Sequence, residues 1–343
     1  MNEMLGGQIT GGSTSVRDGW EKLRIAGAKA RVMLTEAAAA KWGVDAAKCT
    51  ASNGTITGPG GKKASYGSLA EAASKLTPPK TLALKDPSKW RYIGKPLKRL
   101  DTPGKITGTT EFGIDVKLPG MLYASLAQCP VIGGKVTAVD AAKAKAMPGV
   151  RHVVRITDGV AVVADSWWQA KQARDVLNIT WDEGPGKALS SEMVFKGLAE
   201  AMAKPGASIK QQGNVADAMK AAAKTVQATY EMPFLSHSPL EPMNFTADVR
   251  KDSALLIGSI QFQQLAMGMA SAITGLKPEA ITMKTTYLGG GFGRRIDCDF
   301  MAQAVEISKA IGKPVKLVWT REDDLTHDFY RPASLTQMSA GLD

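Results

Sequence analysis

The sequence predicts an α+β protein of more than one domain. Three observations carry that expectation. Strand-like runs and short helices are mixed within about eighty residues of the middle of the chain. The 343 residues exceed the ordinary span of one domain. A hydrophobic share of 44% with a charged share of 22% suits ordinary globular cores.

The chain opens on a Gly/Ser/Thr run over residues 6–15. Ser15 is a candidate N-cap, because a hydroxyl there can accept from an orphan N–H. Trp20, Leu23, Gly27, Ala30, Leu34 and Ala38 recur at helical spacing, so a helix is expected over 16–41, with Gly43 as its stop. Asn53-Gly54 is a two-residue hairpin turn within 48–57. Ser68 is expected to cap a short helix over 69–76. Pro78, Pro79, Pro87 and Pro96, with little periodicity between them, make 77–98 a linker.

From residue 99 a new unit is expected. Its strands fall at 107–116, 122–129, 136–139, 150–156, 160–164 and 178–181. Helices fall at 141–146 and at 167–177, the second capped by Ser166. Helices over 190–203 and 215–223 follow, the latter capped by Asn214, and then a strand over 225–232. Residues 233–244, with Pro233, Pro239, Pro242, His237 and Glu241, read as an irregular loop. Strands over 246–250 and 254–260 pair, and 261–274 is a Met/Ala-rich helix ending at Gly275. The apolar run 281–288, a glycine loop, a helix over 299–311 and a strand over 315–319 make a βαβ-like unit.

The glycine loop, Gly289-Gly290-Gly291-Phe292-Gly293-Arg294-Arg295, is the focus of this half. Glycines let the backbone approach a ligand, and amides freed ahead of a helix suit an anion. A dinucleotide fingerprint fails, because Arg294 stands where its last glycine belongs, and Gly293-Arg294-Arg295 is no Walker ending. No G-x-S-x-G elbow is present. Asp323 and Asp324 read as a solvated or supporting pair rather than acid/base machinery. The 6–15 run is a second such loop ahead of a helix.

The net charge is +11, from 43 basic and 32 acidic residues. The lysines are scattered, so a solvated surface is favoured and no nucleic-acid partner is expected. Cys49, Cys129 and Cys298 lie far apart without C-x-x-C, and His152, His237 and His327 lack metal spacing. No iron–sulfur cluster, zinc knuckle or other metal ligand set is expected. No apolar run is long enough to span a bilayer, and residues 1–7 lack a signal-peptide pattern, leaving location open.

Residues 289–293, preceded by Ser259-Ile260-Gln261 and Leu240-Glu241-Pro242, resemble the large subunit of the xanthine dehydrogenase/aldehyde oxidase family of molybdenum hydroxylases. Gly11-Gly12-Ser13-Thr14-Ser15 before a long helix, Arg294-Arg295 after the glycines, and Arg321-Glu322-Asp323-Asp324 with Tyr330-Arg331-Pro332 are nearest the isoquinoline 1-oxidoreductase β-subunit branch. The resemblance covers nearly the whole chain. It implies part of the second molybdopterin-binding domain at 1–76, a linker at 77–98, an α/β hammerhead domain at 99–184 and the start of the first molybdopterin-binding domain at 205–343.

The resemblance further implies a molybdopterin cofactor with molybdenum, in this branch usually the cytosine dinucleotide form. Gln261 would hydrogen-bond the molybdenum oxo group. Gly290, Gly291, Phe292, Gly293 and Arg294 would line the cofactor, Gly11, Gly12, Ser13 and Thr14 would contact it, and Glu241 would line the substrate side. The family hydroxylates electron-poor carbons with water as oxygen source, so an N-heterocycle or an aldehyde is the expected small-molecule substrate. Its general-base Glu sits in a Gly-Glu-Pro-like setting that this chain lacks. The chain is therefore expected to be a fragment, inactive without the remainder of the large subunit. Electrons would leave through a small 2Fe–2S subunit. A non-catalytic cofactor-binding or assembly module of the same fold is the alternative, and a nucleotide-binding protein of another fold is disfavoured by the failed fingerprints.

Overall fold

Helix α1 (Ser15–Trp42) organises the first of two units in the computed structural model, which describes residues 3–343. The units are Met1–Thr107 and Gly108–Asp343. In the first, α1 ends at Gly43, whose left-handed φ of 65° turns its N–H onto the Ala39 and Ala40 carbonyls. The N-cap position is held by Thr14 rather than Ser15. Thr14 Oγ1 donates to the Gly11 carbonyl at 2.8 Å instead of accepting from the helix.

Strands β1 (Thr50–Ser52), β2 (Thr55–Thr57) and β3 (Lys63–Ser65) form an antiparallel sheet. Asn53 and Gly54 both take positive φ, 48° and 74°, as the tight hairpin turn requires. Helix α2 (Tyr66–Ser74) starts ahead of its expected position, because Ser65 and not Ser68 is the cap and accepts the Ser68 N–H. Ala38, Ile56 and Leu69 close a small core with Leu34 and Trp42. Between Leu76 and α3 (Thr102–Ile106) the only regular element is a 3-10 turn, Pro87–Lys89.

The strand expected over 107–116 does not form. Gly108 takes a φ of 71°, and the Asp115 carboxylate accepts the Phe112 N–H, closing a 3-10 turn at Gly113–Asp115 where a strand would need extended backbone.

The second unit continues with β4 (Leu122–Gln128), β5 (Lys135–Asp140), α4 (Ala142–Lys145), β6 (Val150–Ile156), β7 (Gly159–Ala164), α5 (Trp167–Arg174) and β8 (Asn178–Asp182). There follow α6 (Ser191–Met202), α7 (Val215–Ala221), β9 (Lys224–Met232), β10 (Asn244–Val249), β11 (Ala254–Gly258) and α8 (Gln263–Thr274). The last elements are β12 (Ile281–Thr285), α9 (Asp299–Ile311), β13 (Val315–Val318), α10 (Arg321–Thr326) and β14 (Ser334–Leu342).

Seven strands make one sheet in the order β12-β11-β10-β13-β4-β7-β6, while β5 pairs with β8 and β9 with β14. Pairs β11–β12 and β13–β4 are parallel and the others antiparallel. Strands β12 and β13 therefore run the same way with β11 and β10 between them, and α9 is their crossover.

One face of the sheet carries Phe245, Ala247, Leu256, Val315 and Leu317 against Phe300, Met301, Ala304 and Ile307 of α9, all fully buried. Burial of each large apolar side chain there contributes roughly 1.5–3 kcal/mol. On the opposite face Val162 packs with Ala144 of α4 and Ala173 of α5. Further along that face the register aligns Thr246 of β10 with Lys316 of β13 and Lys316 with Tyr123 of β4.

Lys316 is 2% exposed and donates its ammonium to the Ile114 carbonyl of the 3-10 turn. Burial pushes its pKa down to about 8. In the unfolded chain a lysine titrates near ~10.4, so between those values the unfolded state holds more protons and folding gains with rising pH. Relative to Lys316→Met, wild-type stability is expected to rise by about 1–3 kcal/mol between roughly pH 8 and pH 10. Denaturant titrations at both pH values check this, and a constant difference would refute it.

Candidate functional site

Four chain segments meet at one end of the seven-stranded sheet. Gln261 follows β11, residues 289–293 follow the parallel neighbour β12, Glu241 precedes the antiparallel β10, and Thr320 follows β13. Open α/β sheets characteristically place ligands at the carboxyl ends of such parallel strands.

The loop 289–293 turns sharply. Gly290, Phe292 and Gly293 have φ of 102°, 57° and 111°. Phe292 is the unusual member, a bulky residue held left-handed at the loop surface, and strain of that kind marks functional loops. Side chains are also excluded by contact. A Cβ on Gly289 would stand 2.4 Å from Glu241 Cβ, and one on Gly291 would stand 2.6 Å from Gln261 Oε1.

The loop's amides divide into two sets. Gly289 N–H donates to Glu241 Oε2 at 2.8 Å, and Gly293 N–H donates to Gln261 Oε1 at 3.2 Å. The three between them, on Gly290, Gly291 and Phe292, donate to no group among the described residues. Successive amides left open by alternating backbone handedness form a concavity for an anion or a polarised oxygen. Gln261 is 8% exposed and lies ahead of α8 rather than within it, its own N–H donating to the Arg295 carbonyl. The structure thus brings together Gln261, Gly290, Gly291, Phe292 and Gly293.

Glu241, expected to line the substrate side, is gripped by the protein itself. It is 7% exposed, and both its oxygens are engaged by the protein. Oε1 accepts from Ile114 N–H at 3.0 Å and Asn244 Nδ2 at 2.9 Å, and Oε2 accepts from Gly289 N–H at 2.8 Å and Arg295 Nη2 at 3.2 Å. It is a latch holding the loop, the 3-10 turn and β10 together. Arg295, fully buried, also donates through Nε to the Gly290 carbonyl at 2.8 Å. Burial lowers its pKa, and the Glu241 charge partly offsets this.

Arg294, expected to line the cofactor, is enclosed by the protein. Its guanidinium is fully buried and forms a two-pronged pair with Asp299, both bonds 2.8 Å, with Nε 3.1 Å from Asp328. The rings of Phe329, Trp319 and Phe300 lie 5.1, 5.4 and 5.9 Å away. Burial would lower its pKa, but the Asp299 bonds and charge outweigh that and raise it. An arginine enclosed in this way anchors the loop's far end from inside.

Asp328 completes the anchor. Its carboxylate accepts from Ser236 Oγ at 2.8 Å, from the His237 N–H, and from His237 Nδ1 at 3.0 Å. Burial alone would raise its pKa, but the hydrogen bonds from His237 and Ser236 hold it below the usual carboxylate range. Neither His237–Asp328 nor Asn244–Glu241 announced itself in sequence. The first pair is separated by 91 positions, and no spacing rule links them. Of the two readings for Asp323 and Asp324, the supporting one fits. Asp323 closes the capping box of α10 and pairs with Arg174 at 2.6 Å, while Asp324 is 1% exposed and pairs with Arg321 at 2.5 Å.

The other expected loop lies in the first unit. Gly12 and Ser13 are both left-handed, with φ of 59° and 53°, and Thr14 is buried against the Gly11 carbonyl. Gly11, Gly12 and Ser13 form a tight turn leading into α1. No group of three or more His, Cys, Asp or Glu side chains among the described residues could hold a metal ion, and no helix is long and apolar enough to cross a membrane.

Comparison with known proteins identifies the setting of this geometry. Residues 200–343 match the family described as the molybdopterin cofactor-binding domain. The chain is 30% identical to the isoquinoline 1-oxidoreductase subunit beta of Brevundimonas diminuta, across 98% of this chain and 49% of that one. It is 33% identical to the membrane-bound aldehyde dehydrogenase (pyrroloquinoline-quinone) of Gluconacetobacter polyoxogenes, across 98% and 45%. The chain thus spans about half the length of these curated relatives. Among solved structures, the quinoline 2-oxidoreductase of Pseudomonas putida 86 shares the fold with a TM-score of 0.57 at 19% identity, over 74% of this chain and 38% of that one. With its glycine loop, its Gln261 and its mixed sheet, the chain belongs to the xanthine dehydrogenase/aldehyde oxidase family of molybdenum hydroxylase large subunits.

Proposed function

We propose that this chain is the cofactor-holding portion of a molybdenum hydroxylase that hydroxylates an N-heterocycle or oxidises an aldehyde. The observation that carries the reading is the run of open amides on Gly290, Gly291 and Phe292 beside Gln261. Those groups fit an oxygen-bearing anionic cofactor, since every one of them can donate. When bound, molybdopterin supplies the two-electron chemistry, and the protein supplies placement and electrostatics. Gln261 Oε1 accepts the Gly293 N–H, which holds the side chain against the loop, and Gln261 is proposed to contact the cofactor. The Phe292 ring folds back over Gly290, its Cε2 3.2 Å from where a Cβ there would stand. Gly11, Gly12, Ser13 and Thr14 are proposed as cofactor-contacting residues of the first unit, and the cytosine dinucleotide form is proposed for the cofactor.

The proposal extends to the assembly. A general-base carboxylate within hydrogen-bond reach of the reacting oxygen is required. Glu241 is unsuited to that task, because four donors already occupy it. The base is therefore assigned to the remainder of the large subunit, and electron exit to a small 2Fe–2S subunit. Residues 1–76, 99–184 and 205–343 are proposed as a second molybdopterin-binding part, a hammerhead domain and the start of the first molybdopterin-binding domain, with 77–98 as linker.

The test uses the full-length subunit with its partner. Molybdenum analysis of wild type should approach one metal per subunit, with dye-linked oxidation of a heterocycle or aldehyde. Gly291→Ala, which drives a methyl into Gln261, is expected to lower metal content by about tenfold. Full retention would sink the reading of the loop, and metal without turnover on any such substrate would favour a non-catalytic module.

A further inference from the structure

We propose that His237, oriented by Asp328, is a ligand-contacting residue of the glycine loop, its Nε2 hydrogen-bonding an oxygen of the cofactor. The inference rests on the cofactor reading above and adds a residue to it.

The segment carrying His237 lies along the loop. The nearest atoms to a Cβ built on Gly290 include Pro239 Cβ at 3.0 Å, and the nearest to one on Gly293 is His237 Nε2 at 3.6 Å. Ser238, between them, is left-handed with a φ of 44°, which turns the chain across the loop. The imidazole is held at its far side. Nδ1 lies 3.0 and 3.2 Å from the two Asp328 oxygens, and Asp328 is itself fixed by Ser236, by the His237 N–H and by Arg294. A carboxylate accepts from Nδ1, so Nε2 is the ring nitrogen left to face the loop. Nε2 has no hydrogen-bond partner among the described residues.

The loop and the histidine are chemically complementary. The amides of Gly290, Gly291 and Phe292 can only donate, so they suit unprotonated oxygens. Nε2 stands beside the loop and can give the same group one further hydrogen bond. A phosphate-like group presents several oxygens at once. A histidine serving only as packing would need neither a carboxylate partner at Nδ1 nor an unpartnered Nε2 beside open amides.

Inorganic phosphate is the probe. In the isotopically labelled 343-residue chain, titration with phosphate is followed by NMR at the three loop amides and at the His237 ring nitrogens. The expected result is that Nε2 shifts together with the amides, with a common apparent Kd. His237→Ala is expected to weaken that Kd by about fivefold or more, with His237→Gln as a milder variant that keeps a polar group. Loading the full-length subunit with cofactor should abolish the response at His237. Amides that shift while the ring stays silent would overturn the role of His237 and leave the loop reading intact. Silence at both would overturn the loop reading along with it. A phosphate response that persists in the cofactor-loaded subunit would overturn the assignment to the cofactor.

Discussion

Glu241→Ala is expected to destabilise the second unit by about 3–5 kcal/mol, the cost of leaving a buried partner charge unpaired. The side chain is central to three elements at once. Its removal strands the buried Arg295 guanidinium, the Gly289 and Ile114 amides, and the Asn244 side-chain amide. Arg295 already has Nη1 buried without a hydrogen-bond partner, so it has little left to fall back on. Glu241→Gln keeps the shape and one acceptor but removes the charge, and about 1–3 kcal/mol is expected. Urea unfolding followed by circular dichroism measures both. A loss under about 1 kcal/mol for the alanine variant would show that the carboxylate is not a latch.

Arg294→Ala is the second large effect, again about 3–5 kcal/mol near neutral pH. It removes the counter-charge of Asp299 and Asp328 and empties a site walled by Phe300, Trp319 and Phe329. Its pH dependence has a definite sign. Asp328 has a folded-state pKa below its unfolded value. Its contribution is therefore present above the unfolded value of ~3.9 and is lost as pH falls through the folded one. Once the carboxyls are protonated they no longer need the guanidinium, so the gap between wild type and variant should narrow below about pH 4. A gap that widens on acidification would refute the pairing as the source of the effect.

These two arginines show where sequence reasoning reached and where it stopped. The glycine loop was legible because only glycine tolerates such φ values and contacts, and the βαβ-like order around it follows from apolar periodicity. For the arginines beside it, sequence shows the charge but not the burial. Their partners, Asp299, Asp328 and Glu241, lie from 5 to 54 positions away, and only the folded sheet makes them neighbours. The missing strand at 107–116 has a similar origin. Its alternation was adequate, but the Asp115 side chain offers the Phe112 amide a closer partner than any strand would. The caps differ from expectation in two ways. Ser65, three residues ahead of Ser68, accepts its N–H, whereas at Thr14, one residue ahead of Ser15, the hydroxyl turns to the Gly11 carbonyl and the helix has no side-chain cap.

The latch also dictates an order of events during folding. Ile114 is 127 positions from Glu241, and Arg295 is 54 positions from it on the other side. Closing loops of that length is entropically slow, and such contacts form late. The glycine loop therefore acquires its shape only after strands from both ends of the second unit have joined. A chain folded only in part lacks the contacts that shape this loop, so the cradle depends on the completed sheet.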